Sequence, residues 1–225
     1  MRFPQRLRST RRGVAVVLGL GLLALAGCSK KPLPPLSAMV DAPYLRSGST
    51  WTYRVEDTSF ARPVSLTLTF DKEDVYKGIG ILSFNSTPGN ETLLYDRSLN
   101  FVAAASGGKV LREASPSLRA FDFPFYVGKE WRSVFTFQDY TRTLSWTPVE
   151  VFWKVKEYDV VKVPAGDYRA FLLESRPSTN WGISKEEIWY APDVKQPIKI
   201  HRERTAAHYL GKGTEHWELI QFALK

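Results

Sequence analysis

From about Tyr44 onward the 225-residue chain is patterned with a period of two. Trp51, Tyr53 and Val55 alternate with Thr52, Arg54 and Glu56, and Val64, Leu66, Leu68 and Phe70 alternate with Ser65, Thr67 and Thr69. Val149, Val151, Trp153 and Val155 alternate across Glu150, Lys154 and Lys156, with Phe152 breaking the pattern on the polar side. Trp217 and Leu219 continue the theme near the end. Successive side chains of a strand point to opposite faces, so this alternation demands half-buried β-strands. Turn chemistry recurs between the runs, at Thr87-Pro88-Gly89-Asn90, Gly107-Gly108, Pro164-Ala165-Gly166-Asp167 and Gly211-Lys212-Gly213. No segment carries a sustained 3.6-residue stripe. A short helix over 115–120 is expected, with Ser115 as cap and Pro116 in the first helical position. The fold class read from these patterns is all-β: a single curved antiparallel meander sheet or open half-barrel spanning 44–225.

A glycine turn precedes a tryptophan twice, at Gly48-Ser49-Thr50-Trp51 and at Gly128-Lys129-Glu130-Trp131. Each pair precedes a strand-like run. The spacing suggests a glycine turn feeding a strand whose first large residue plugs one end of the core.

The first 27 residues follow a different rule. Arg2, Arg6, Arg8, Arg11 and Arg12 precede an uninterrupted apolar run from Gly13 to Ala26. A charged start, a short apolar stretch and small residues at its end are the parts of a signal-peptide helix. A membrane-spanning helix needs about 20 apolar residues, which this run does not reach. Five of the 31 basic residues lie in this leader, leaving 26 against 23 acidic ones. The high isoelectric point is therefore largely a property of the leader, and nucleic-acid binding is not expected. Residues 28–43 contain Pro32, Pro34 and Pro35 among Lys and Ser, the composition of an extended, semi-rigid tether.

Leu25-Ala26-Gly27-Cys28 resembles the lipobox of bacterial lipoproteins. The resemblance implies cleavage before Cys28, a diacylglyceryl group on its thiol, and a fatty acyl chain such as palmitate on the new amino terminus. One acyl chain anchors only marginally, whereas two or more hold stably. Ser29 rather than an aspartate after the lipidated cysteine implies retention at the outer membrane, facing the periplasm. Cys28 is the chain's single cysteine, so no intrachain disulfide can support the fold.

Further residues resemble a group of bacterial envelope β-proteins. They are Gly48 to Tyr53 as a Gly-x-x-Trp-x-Tyr opening, Val163-Pro164-Ala165-Gly166, and Trp189-Tyr190-Ala191-Pro192. The resemblance implies an architecture similar to lipoprotein-carrier half-barrels, whose concave face often holds an apolar ligand or a partner.

Chemistry-bearing constellations are sparse. If Gly211-Lys212-Gly213 closes a three-residue hairpin loop, His208 lies opposite His216, and the two could hold Zn²⁺ with a nearby glutamate. Solvent-facing histidines on a polar hairpin are the preferred reading, and no metal or other cofactor is expected. Gly78-x-Gly80 precedes a strand rather than a helix, which rules out a phosphate cradle. Carboxylate pairs such as Glu186-Glu187 are indistinguishable from a solvated strand edge. Seven Trp, ten Tyr and thirteen Phe supply either a bulky core or a ligand groove. The stretch Phe121-Asp122-Phe123-Pro124-Phe125-Tyr126 is aromatic outside any alternation. Phe121, Phe123, Phe125 and Tyr126 are therefore the candidates for lining the mouth of an apolar cavity or docking a partner.

These features point to a membrane-anchored envelope lipoprotein. Its body is read as a non-catalytic binding or scaffold module for an apolar ligand or an envelope partner. A periplasmic enzyme, such as a metal-assisted hydrolase, and a purely structural accessory are the alternatives.

Overall fold

A computed structural model describes residues 39–225 except Thr143, Asn180 and Tyr209, and excludes the side chains of Leu144, Trp146 and Thr147. The leader, the lipobox and Cys28 lie outside the described residues. Residues 34–225 form one compact unit. Its described part contains twelve strands and no helix. The strands are β1 (Thr50–Asp57), β2 (Val64–Tyr76), β3 (Ile79–Thr87), β4 (Thr92–Asp96), β5 (Phe101–Ser106) and β6 (Lys109–Leu118). They continue as β7 (Glu130–Asp139), β8 (Leu144–Val163), β9 (Gly166–Pro177), β10 (Ile183–Ala191), β11 (Gln196–Arg204) and β12 (Gly213–Ala223).

Each strand pairs antiparallel with the next, and β12 returns to pair with β1 from Thr50↔Ala223 to Asp57↔Glu215. The sheet is therefore a closed twelve-stranded barrel, not the open half-barrel or single sheet expected from the sequence. Closure gives the edge groups of β1 and β12 partners, which an open sheet would leave exposed. The helix expected over 115–120 is absent. Ser115 pairs with Thr136 of β7 and Leu118 with Phe101 of β5, so this segment is strand. Pro116 sits where the β5–β6 register shifts between Phe101 and Ala103, a place that tolerates a residue without an N–H.

The alternation sorts the faces as expected. Trp51, Tyr53 and Val55 of β1 are buried, as are Val149, Val151, Trp153 and Val155 of β8. The outward positions carry cross-strand ion pairs, including Lys154–Glu130, Lys199–Glu218 and Lys156–Glu174. A barrel that spans lipid needs an apolar outer band, so this charged outer wall belongs in water.

The two Gly-x-x-Trp elements are structural equivalents. Gly48 and Gly128 have φ of +83° and +90°, a conformation that favours glycine. The Gly48 N–H donates to Phe70 O and the Phe70 N–H to Ser49 O. The Gly128 N–H donates to Val155 O and the Val155 N–H to Lys129 O in the same way. Phe70 and Val155 each precede a bulge, at Asp71 and Lys156, as the ladder passes to β3 and β9. The opening turn and first strand pair, β1–β2 and β7–β8, thus repeat one plan. Each repeat's tryptophan is buried, and its indole N–H donates to a main-chain carbonyl 2.9 Å away, Val194 O for Trp51 and Arg119 O for Trp131.

An eight-stranded barrel is just wide enough to be filled by its own side chains, and twelve strands enclose more space. The segment between β6 and β7 fills one end. Phe121, Phe123 and Phe125 pack on one another and on Tyr190, and Phe125 also meets Phe171 and Trp131. Val40 bridges to Phe125 by two main-chain hydrogen bonds of 3.0 and 2.7 Å, so the polypeptide enters the barrel at this plugged floor. The β1–β2, β3–β4 and β11–β12 loops lie at the opposite end, because successive strands run in opposite directions.

Candidate functional site: a cavity within the barrel

Above the floor the barrel is hollow. The cavity has a volume of about 560 Å³, within the ordinary range of about 300–1,000 Å³ for small-molecule sites. Its apolar wall comes from inward positions of several strands, among them Val55, Leu66, Leu68, Phe84, Leu93 and Ile188. Phe60, Pro88 and Gly89 also line it while exposed to solvent, which places the opening at the β1–β2 and β3–β4 loops.

A charged collar lies towards this mouth. Arg202 shares the parity of Ile198 and Ile200 on β11, so alternation turns it inward. There it binds Glu186 of β10 and Glu215 of β12. Burial opposes its charge, but the two glutamates hold its pKa above the usual arginine value. Glu215 also accepts a hydrogen bond from the Trp217 indole N–H at 2.7 Å. Arg112 is paired with Glu91. Arg204 and Asp57 form a buried bidentate pair, with both nitrogen–oxygen distances 2.6 Å. Burial works to raise the Asp57 pKa, yet hydrogen bonds from Arg204 and Ser59 outweigh it and lower the value.

His208 lines the same region from the β11–β12 loop. Its Nδ1 accepts the Leu210 N–H at 3.2 Å. Burial first, and then the charges of Arg202 and Arg204, push its pKa down to about 4, so the imidazole is neutral at pH 7. The Tyr95 hydroxyl is pushed up to about 12 by burial, against the pull of Arg202 and Arg112. Tyr53 donates its hydroxyl to Pro197 O at 2.9 Å.

The residues singled out from sequence fall in two places. Phe121 lines the inner end of the cavity. Phe123, Phe125 and Tyr126 do not line it, and Phe125 is fully buried in the floor, at the end opposite the mouth where this stretch was expected. Proline and aromatic density outside alternation marked a plug rather than an opening.

The histidine pairing also differs from expectation. The β11–β12 ladder ends at Arg204↔Gly213, so the loop covers 205–212 rather than three residues. His216 therefore faces His201, with Nδ1 atoms 3.1 Å apart and stacked rings, while His208 lies in the loop. Among the described residues no three His, Cys, Asp or Glu side chains gather as a metal site. Glu186 and Glu187 do not form a solvated carboxylate pair. Glu186 turns inward to Arg202, and Glu187 pairs with Lys185 at 2.9 Å.

Sequence reasoning missed Arg202, Arg112, Glu91 and the role of Glu186. The available signal was parity: each of Glu186, Arg202 and Glu215 sits two residues from an inward apolar side chain, at Ile188, Ile200 and Trp217.

No protein-family model matches the chain, and no curated protein matches it significantly. Solved structures do resemble it. A Bacteroides fragilis protein described as exported, with a YmcC-like fold, is 12% identical over 82% of this chain and 99% of its own, with a TM-score of 0.46. The hypothetical lipoprotein YmcC of Escherichia coli is 11% identical over 81% of this chain and 89% of its own, with a TM-score of 0.47. A Parabacteroides distasonis protein described as a lipoprotein is 9% identical over 82% and 99%, with a TM-score of 0.40.

Proposed function

We propose that the chain is an envelope lipoprotein, tethered through Cys28 at the outer membrane, whose barrel holds an apolar molecule without transforming it. The observation that carries the binding reading is the cavity: an apolar chamber above an aromatic floor, open at the end away from Val40. Its charged groups are engaged with one another in ion pairs, an arrangement suited to shaping a mouth rather than to exchanging protons with a substrate. The tether reading rests on the Leu25–Cys28 motif and the short apolar run before it.

The binding reading is tested with N-phenyl-1-naphthylamine, whose fluorescence rises in apolar surroundings, and residues 34–225, whose core is complete within that unit. Saturable binding is expected. Leu66→Trp, which fills the chamber from β2, should weaken it at least ten-fold while the melting temperature stays within a few degrees. Unchanged affinity in that variant would refute the cavity as the site. For the tether, Cys28→Ala in the full chain should move the protein from the membrane fraction to the soluble one.

A further inference from the structure

Among the described residues that line the cavity, the charged side chains are matched to partners. Arg202 is held by Glu186 and Glu215, Arg112 by Glu91, and Asp57 by Arg204. Four carboxylates thus meet three guanidinium groups, His208 is neutral at pH 7, and no lysine lines the chamber. The polar groups that face it without a hydrogen bond to another described residue are uncharged. They are the Tyr95 hydroxyl and the Gln196 amide. Gln196 is only 7% exposed. A buried polar group without a partner is costly, and a ligand that supplies one recovers that cost.

A carboxylate or phosphate entering here would meet an excess of negative charge. It could gain a cation only by displacing a glutamate from its arginine, which would leave that glutamate buried and unpaired. A hydroxyl, ester or amide needs no such exchange and finds donors and acceptors already waiting. We infer that the chamber selects uncharged amphiphiles, molecules with an apolar body and neutral hydrogen-bonding groups, over anionic lipids of the same chain length. This rests on the binding reading above.

The test uses two twelve-carbon probes that differ in head group, 1-dodecanoylglycerol and dodecanoate. Both are titrated below their micellar concentrations into residues 34–225 at pH 7.5 and followed by calorimetry. The acylglycerol is expected to bind at least ten-fold more tightly. Tyr95→Phe removes one hydroxyl and should weaken acylglycerol binding about three- to ten-fold, as expected for one hydrogen bond, while leaving N-phenyl-1-naphthylamine binding unchanged. Dodecanoate binding as tightly as the acylglycerol, or Tyr95→Phe leaving acylglycerol affinity unchanged, would overturn the inference. If the naphthylamine binds and neither lipid does, the inference falls while the cavity reading stands. If none of the three binds, both fall.

Discussion

The Arg204–Asp57 pair joins the ends of β11 and β1 across β12, so it clamps the seam where the barrel closes. Both guanidinium nitrogens lie 2.6 Å from carboxylate oxygens, and the two side chains are essentially without solvent contact. Arg204→Met keeps the apolar stem and removes the cation. Asp57 is then left buried with little beyond the Ser59 N–H, 2.7 Å from its Oδ1. Stranding one member of a buried pair costs about 3–5 kcal/mol. For a unit of this size the unfolding entropy of ~2.1 cal/mol/K per residue amounts to ~0.4 kcal/mol/K, so the melting temperature should fall by about 8–12 °C. Arg204 Nε has no partner, an uncompensated cost that lowers the net worth of the pair. Adding Asp57→Asn to Arg204→Met should therefore recover at least half of the loss. Urea unfolding followed by tryptophan fluorescence, with the four members of the cycle measured together, reads both quantities. A single-variant loss below about 1 kcal/mol, or strictly additive effects, would refute the clamp.

Three further outcomes are expected. His208 has a folded pKa of about 4 against an ordinary value of 6.5, so between those limits the unfolded chain takes up the proton first. Stability should be level above about pH 6.5 and decline as the pH falls towards 4, and His208→Gln should flatten that part of the melting profile; an unaltered slope contradicts the assignment. Phe125→Ala empties the centre of the floor and should cost about 3–5 kcal/mol, measured by the same urea titration, whereas a change under 1 kcal/mol would show that Phe125 does not hold the plug together. Gly182 has φ +106°, and a Cβ there would stand 2.6 Å from His208 Cα. Gly182→Ala should thus push the β11–β12 loop off its neighbour at a cost of about 1–3 kcal/mol, with faster amide exchange at Thr205, whose N–H donates to Gly182 O.

The strands and most of their turns were legible because each is a local signal. The apolar parity of β1, β2 and β8 can be read residue by residue, and Pro164-Ala165 and Gly107-Gly108 are short turns. Closure was not legible. Thr50 and Ala223 are partners across nearly the whole chain, and nothing near either residue distinguishes a sealed edge from an open one. The histidine register failed for a related reason. A glycine pair at 211 and 213 suggested a tight loop, but the ladder ends earlier, at Arg204↔Gly213. The collar escaped notice because Glu186, Arg202 and Glu215 look like ordinary polar residues until the parity of their own strands is followed. Phe121–Phe125 drew attention for a sound reason, dense aromatics beyond regular alternation. Twelve strands make a bore wide enough to need a stopper, and the strand count was itself invisible without closure.

Because β1 starts and β12 finishes at the stoppered end, the rim at the other end is drawn wholly from hairpin crossings. The 58–63 crossing is tied to the seam, because its Thr58 N–H donates to Thr214 O and its Ser59 N–H to Asp57 Oδ1, whereas the 88–91 crossing lies away from it, between β3 and β4. Length changes at 88–90 therefore leave both the seam and the floor in place, whereas changes at Thr58 or Ser59 reach the closure itself.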